Sequence, residues 1–175
     1  LTMVRLFTGI DLPPELKLSL SLLNGGLPGA RWIDAGNYHI TLRFIGEVNE
    51  GLASDIDAAL SRIKAPGFDV TLAGVGTFGN RQLWIGVERT DAMIHLRDKI
   101  ESALVRLGLE PEGRRFQPHV TLARLKQADA KLQEFLAGNA LYRAPPFSVR
   151  RFSLIASYQT KAGSIYEDQA DYSLA

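Results

Sequence analysis

Tyr38-His39-Ile40-Thr41-Leu42-Arg43-Phe44-Ile45 is the stretch on which the fold turns, because it returns 80 residues later as Pro118-His119-Val120-Thr121-Leu122-Ala123-Arg124-Leu125. Both copies read His-apolar-Thr-Leu in a run with strand character. Side chains alternate along a strand, so His39 and Thr41 share one face while Ile40 and Leu42 take the other. His119 and Thr121 stand in the same way against Val120 and Leu122. A polar group turned unsatisfied into a core costs about 1–3 kcal/mol, so two such faces are best accommodated by meeting across a water-accessible cleft. One His-x-Thr alone carries no information. Two copies with matched apolar partners, in a chain of three histidines, do.

Upstream, residues 4–10 form an apolar run ending at Asp11-Leu12-Pro13-Pro14, which predicts a buried strand and then a proline-started helix to about residue 23, stopped by Asn24-Gly25-Gly26. Residues 30–33 and 38–45 are β-like, with Gly46 closing the second run. Leu52, Ile56, Ala59, Leu60 and Ile63 recur at helical spacing behind an Asn49 cap and before Pro66-Gly67. Residues 68–75 and 82–87 read as two strands about a turn at Gly79-Asn80-Arg81. A helix with the stripe Met93, Leu96, Ile100, Leu104 and Leu107 follows, and Gly108 ends it. Residues 120–125 are again strand, 128–136 a short helix, and 146–158 and 165–174 the last strands. Several strands follow one another through short turns rather than helices, so an antiparallel α+β fold is expected. At this length and 46% hydrophobic content, residues 1–175 are expected to form one globular unit.

Composition narrows the chemistry. No window approaches the roughly 18 consecutive apolar residues of a membrane span, and Met3-Val4-Arg5-Leu6 lacks the basic-then-apolar layout of a secretory signal. The expectation is a soluble, cytoplasmic monomer with no membrane partner. The absence of cysteine rules out disulfides, thiolate zinc sites and a cysteine nucleophile. No close spacing of His, Asp or Glu accompanies His39 or His119, so neither a metal nor another cofactor is expected. A net charge of +1 is too small for a non-specific nucleic-acid binder. Local arginines, among them Arg114, Arg115, Arg124 and those of the acid-free stretch 143–151, remain candidates to grip a single phosphate.

Two imidazoles with an ordinary pKa near about 6.5 can hold opposite protonation states close to neutral pH, as an acid/base pair requires. Two threonine hydroxyls can donate to the non-bridging oxygens of a phosphate held between them. In-line attack on phosphorus brings the nucleophile in opposite the leaving oxygen, so a base on one side and an acid on the other fit two matched strands. The arrangement suits a phosphodiester and needs no metal.

On these motifs the chain resembles the RNA 2′,3′-cyclic phosphodiesterase family, also called LigT-like or 2′-5′ RNA ligase, within the 2H phosphoesterase superfamily. The likeness extends over Arg5-Leu6-Phe7 to Asp11-Leu12-Pro13, Arg31-Trp32, Phe44-Ile45-Gly46-Glu47-Val48, Phe78-Gly79 with Leu83-Trp84, the segment 114–124, Ser157 and Tyr166-Glu167. It implies two pseudo-symmetric lobes, each an antiparallel sheet with helices on its outer face, and an active-site groove between them. It also implies opening of RNA-terminal 2′,3′-cyclic phosphates to 2′-phosphates, with 2′-5′ ligation as the reverse. By motif position His39 would be the proton donor to the departing 3′ oxygen and His119 the acceptor that activates water. Thr41 and Thr121 would hold phosphate oxygens, and Arg124 would assist. In an ideal strand Arg124 has the wrong parity for this, so the strand must bulge or end near Ala123. Phe44 and Phe78 are candidate stacking surfaces for a terminal base, although an aromatic next to a β run is more often a core residue. Gln117 departs from the family pattern, where a basic residue is common, which would weaken the grip on RNA rather than the chemistry.

Rival readings fare less well. Gly74-Val75-Gly76-Thr77-Phe78-Gly79 spells the dinucleotide-binding G-x-G-x-x-G, but a strand follows it rather than a helix, so these glycines are expected in a β turn or bulge. His95 lies off its helix's apolar stripe and is expected to face solvent. No nucleotidyl-transfer motif surrounds any lysine. The expected substrate is an RNA terminus or a small cyclic nucleotide; a non-catalytic module that binds RNA ends or nucleotide phosphates would need donors but no proton shuttle, so it leaves the paired histidines unexplained.

Overall fold

The first apolar run forms strand β1 (Met3–Asp11), buried from Leu6 to Ile10 in the computed structural model, which describes residues 2–175; Leu1 lies outside them. Pro13-Pro14 starts helix α1 (Pro14–Ser21), and β2 (Arg31–Trp32) and a 3₁₀ turn at Ala35–Asn37 lead into β3 (His39–Asn49). Helix α2 (Glu50–Ser61) begins where the Asn49 side chain accepts from the Leu52 N–H at 2.8 Å. Strands β4 (Phe68–Val70), β5 (Leu72–Phe78) and β6 (Gln82–Val87) follow. Thr90 then caps α3 (Asp91–Arg106), which buries Met93, Leu96, Ile100 and Leu104. The second motif is β7 (His119–Arg124), followed by α4 (Ala130–Gly138), β8 (Phe147–Val149), β9 (Arg151–Thr160) and β10 (Gly163–Ser173).

The strands make two four-stranded antiparallel sheets, in orders β10-β9-β1-β3 and β2-β7-β6-β5, and a two-stranded ribbon β4-β8. One motif strand lies in each sheet, and β3 and β7 pack side by side where the sheets meet. The chain crosses repeatedly between them: β2 precedes β3 yet pairs with β7, and the C-terminal hairpin β9-β10 returns to β1. Ile40 and Leu42 of β3 and Val120 and Leu122 of β7 are buried in one shared core with Ile56, Leu60, Met93 and Ile100 from α2 and α3. None of the helices is long and apolar enough to cross a membrane among the described residues.

Three sequence expectations need correction. Gly46 does not close β3; it sits at φ +94° inside it, opposite Leu6 where the register with β1 shifts, a conformation that glycine adopts without Cβ strain. Residues 68–75 are not one strand, since the chain leaves the ribbon at Thr71 and joins β6 as β5. Residues 146–158 likewise divide at Arg150 into β8, on the ribbon, and β9, beside β1. Period-two alternation continues through such a change of partner, so hydrophobic pattern alone does not mark it.

Candidate active site

The two motif strands present the same surface. His39-Ile40-Thr41-Leu42-Arg43-Phe44 and His119-Val120-Thr121-Leu122-Ala123-Arg124 share one burial sequence: half-buried, buried, half-buried, buried, buried, exposed. The alternation breaks at the fourth and fifth residues in both because each strand bulges there. On β3, Thr8 pairs with Arg43 and Gly9 with Thr41, leaving Leu42 over; on β7, Leu83 pairs with Ala123 and Trp84 with Thr121, leaving Leu122 over. A bulge reverses parity beyond it, which returns Phe44 and Arg124 to the face of the histidine and threonine. This resolves the parity difficulty at Arg124.

Each histidine is held in the same way. Its Nδ1 lies 2.8 Å from the Asn37 carbonyl oxygen for His39 and 2.7 Å from that of Gln117 for His119. A carbonyl only accepts, so Nδ1 carries the hydrogen and donates, and in the neutral ring Nε2 is the bare, basic nitrogen. The Thr41 hydroxyl meets His39 Nε2 at 2.7 Å. Aromatic rings fix both imidazoles: Phe7 at 4.7 Å and Tyr166 edge-on at 5.1 Å around His39, Phe78 edge-on at 4.8 Å and Trp84 at 6.1 Å around His119. Trp84 can lie flat across β5 because Gly76 sits beneath it, where a Cβ would come within 2.4 Å of the ring.

The electrostatics of the two rings differ. Burial lowers His39 to a pKa of about 4; the Asn37 hydrogen bond and the Asp11 carboxylate oppose the shift, while His119 adds to it. Burial also lowers His119, against its bond to Gln117, but no carboxylate figures among the groups acting on it. Both are therefore neutral at pH 7 in the free protein; Asp11, paired at 2.7 Å with Lys17, acts on His39 to favour its proton, but burial outweighs it and Lys17 opposes it.

Of the other expected site residues, Thr121 stands half-buried beside His119, and Phe44 (43% exposed) and Phe78 line a cleft of about 440 Å³ together with Thr41 and His119. Arg124 does not line that cleft; with Tyr166, whose ring lies edge-on to His39, it lines a neighbouring cavity, and there burial pushes the Tyr166 hydroxyl up while the Arg124 guanidinium acts in the opposite sense. Arg114 lines the same cleft as Phe44, tied to Glu112 at 3.3 Å. His95 is exposed, and the G-x-G-x-x-G glycines lie in β5 and its turn, with Gly74 at φ +75° beside a register shift. Among the described residues there is no grouping of three or more His, Asp or Glu able to hold a metal ion.

Several contributors escape a sequence reading. Phe7 and Trp84 stand out in the sequence only through the likeness to the family, and the carbonyls of Asn37 and Gln117 leave no mark in a residue pattern. Arg43 is 6% exposed, donating to Glu101 at 2.9 Å and to the carbonyls of Phe44 and Glu110 at 2.6 Å, while the Glu112 N–H donates to Glu101 at 2.8 Å. This cluster fixes the segment that carries Arg114, Arg115 and Gln117 against β3. The one available signal was an arginine at a position whose counterpart, Ala123, is apolar.

Comparison with known proteins agrees with this architecture. The description 2′-5′ RNA ligase superfamily matches residues 31–161. The RNA 2′,3′-cyclic phosphodiesterase of Aeropyrum pernix is 35% identical over 158 residues, 86% of this chain and 89% of that protein. The Thermotoga maritima protein of the same name is 33% identical, over 94% of this chain and 92% of its own. The crystal structure of E. coli LigT complexed with 3′-AMP superposes with a TM-score of 0.83 over 99% of both chains at 26% identity. The paired His-x-Thr strands, the two antiparallel sheets that carry them and these likenesses together place the chain in the 2′-5′ RNA ligase superfamily.

Proposed function

We propose that this chain is an RNA 2′,3′-cyclic phosphodiesterase that opens the terminal cyclic phosphate to a 2′-phosphate by acid/base catalysis between His39 and His119. The observation that carries this reading is the matched pair of imidazoles, each with Nδ1 hydrogen-bonded to a backbone carbonyl so that Nε2 is its proton-exchanging atom. His119 Nε2 takes a proton from water as the water oxygen bonds to phosphorus. The P–O3′ bond breaks, and His39 Nε2 gives its proton to the 3′ oxygen. Thr41 and Thr121 donate to non-bridging oxygens, and Arg124 steadies the phosphate from the Tyr166 side.

The polarity is taken from motif position: the bound phosphate anion raises both imidazole pKa values, and at His39 the Asp11 carboxylate favours the proton while burial and Lys17 oppose it. Ligation follows the same course with an RNA 5′-hydroxyl in place of water: its oxygen bonds to phosphorus as His119 takes its proton, the P–O3′ bond breaks, His39 protonates the 3′ oxygen, and a 2′-5′ phosphodiester is left. No part of the scheme requires a metal, so turnover should persist in EDTA.

Replacing His39 or His119 by Ala tests the pairing. General acid/base catalysis is worth roughly 10²- to 10⁴-fold per group, so each variant should lose about that factor in kcat while still binding an RNA 2′-phosphate. Undiminished turnover in either variant would end the two-histidine scheme. Binding without turnover by the unaltered protein would favour the non-catalytic module.

A further inference from the structure

Behind His39 the chain builds a second polar cluster. Asp11, Lys17, Asn37 and His39 line a cavity of about 410 Å³ with Tyr166 and Asp168, and none of these six lines the cleft of Thr41 and His119. Asp11 ends β1 directly opposite His39 on β3, so the two side chains leave the sheet on one face. Pro13-Pro14 then turns the chain into α1, where the Lys17 Nζ comes back to donate to the Asp11 carboxylate at 2.7 Å. The same Nζ reaches the Gly36 carbonyl at 3.4 Å. Gly36 and Asn37 belong to the 3₁₀ turn just before β3, and the Asn37 carbonyl accepts from His39 Nδ1 at 2.8 Å. A second tie holds this turn to β10, where Asn37 Nδ2 donates to the Ser164 carbonyl at 2.7 Å.

An ion pair whose carboxylate is 55% exposed adds little to stability, so stability alone does not explain a lysine drawn in to 20% exposure. A backbone carbonyl aims an imidazole only as well as its own peptide is held, and a misplaced proton donor loses rate steeply. We infer that Lys17 is a positioning residue for His39: clamped to Asp11, it holds the turn whose Asn37 carbonyl aims the ring, and it acts from behind the ring without touching substrate. This rests on the reading of His39 as the acid. The pair also places opposite charges beside the ring. Asp11 favours the proton on His39 and Lys17 opposes it, with burial the largest influence; the other titratable groups about the ring are His119 from β7 and Tyr166, Glu167 and Asp168 from β10. Removing Lys17 and removing the Asp11 charge therefore act on the His39 proton in opposite senses, which the loss of a structural contact does not do.

Two measurements on Lys17→Met, Lys17→Arg and Asp11→Asn test this. The first needs no turnover: the His39 ring is titrated by NMR with a nucleoside 2′-monophosphate bound. Its midpoint should move to higher pH in Lys17→Met, to lower pH in Asp11→Asn, and stay near its place in Lys17→Arg. The second follows kcat and KM for an RNA 2′,3′-cyclic phosphate against pH, and the falling limb of kcat should shift in the same two directions. At the top of the profile Lys17→Met should lose on the order of tenfold in kcat with KM little changed, and Lys17→Arg should recover most of it. Lys131→Met, at an exposed position on α4, should lose nothing. A His39 midpoint that stays put in both Lys17→Met and Asp11→Asn, or moves the same way in both, overturns the role of Lys17 and leaves the histidine pair standing, as does full kcat in Lys17→Met. A falling limb that ignores a displaced His39 midpoint overturns His39 as the acid, and this inference with it.

Discussion

At the scale of single residues, the candidate site is two imidazoles whose Nδ1 hydrogens are given to Asn37 and Gln117, with opposite demands on Nε2. In the proposed scheme the base, His119, must be neutral, so activity should be lost as pH falls through its pKa. The acid, His39, must be protonated, so activity should be lost as pH rises through its pKa, about 4 in the free protein. Since kcat/KM reports free enzyme, its bell should peak on the acid side of the ordinary histidine value of about 6.5. The kcat profile reports the complex, where the phosphate anion raises the acid, so its falling limb should lie at higher pH. A kcat/KM that climbs steadily from pH 5 to pH 8 would contradict these assignments. His39, Thr41, His119 and Thr121 were legible in the sequence because strand alternation is local. The pKa shifts were not, since they arise chiefly from burial, set by what other strands pack around each ring, Phe7 and Tyr166 at His39 and Phe78 and Trp84 at His119 among them.

At the scale of elements, the matched bulges at Leu42 and Leu122 shape the candidate site, because they bring Phe44 and Arg124 round to the histidine face. Alternation carries a sequence reading as far as each threonine and fails one residue later. The register shift is set by β1 and β6, to which the motif itself gives no clue. The same limit hides the partner changes at Thr71 and Arg150, whereas the helices, fixed by their own caps and stripes at Asn49, Thr90 and along α3, are placed well. The Arg43–Glu101 pair joins β3 to α3 and to the segment before β7. Removing one partner of a buried pair is costly, so Glu101→Gln should destabilise the fold by about 3 kcal/mol in urea unfolding. Glu112→Gln, which breaks the pair with the largely exposed Arg114, should cost at most about 1 kcal/mol. Equal effects of the two changes would show that the Arg43 cluster is not a structural clamp.

At the scale of the whole molecule, two sheets exchange strands so often that the groove between them is built from both ends of the chain, with Phe7 and Tyr166 over His39 and the centre of the chain around His119. The antiparallel α+β class was readable from strands in succession. The two-lobed arrangement came from the family resemblance, because pairings such as β1 with β9 span nearly the full length. Burial of His39 also links folding to pH. Below about 6.5 the unfolded chain takes up a proton that the folded protein refuses until about pH 4. Stability should therefore fall as pH drops through that window, and His39→Gln should flatten the fall when unfolding is followed by denaturant titration at pH 7, 6, 5 and 4. The most direct test of the account is to give the protein, in EDTA, a short RNA ending in a 2′,3′-cyclic phosphate and to locate the phosphate afterwards by phosphorus NMR. The account predicts a 2′-phosphate, with the 3′ oxygen as leaving group on the His39 side. A 3′-phosphate, or no opening of the ring, would contradict it.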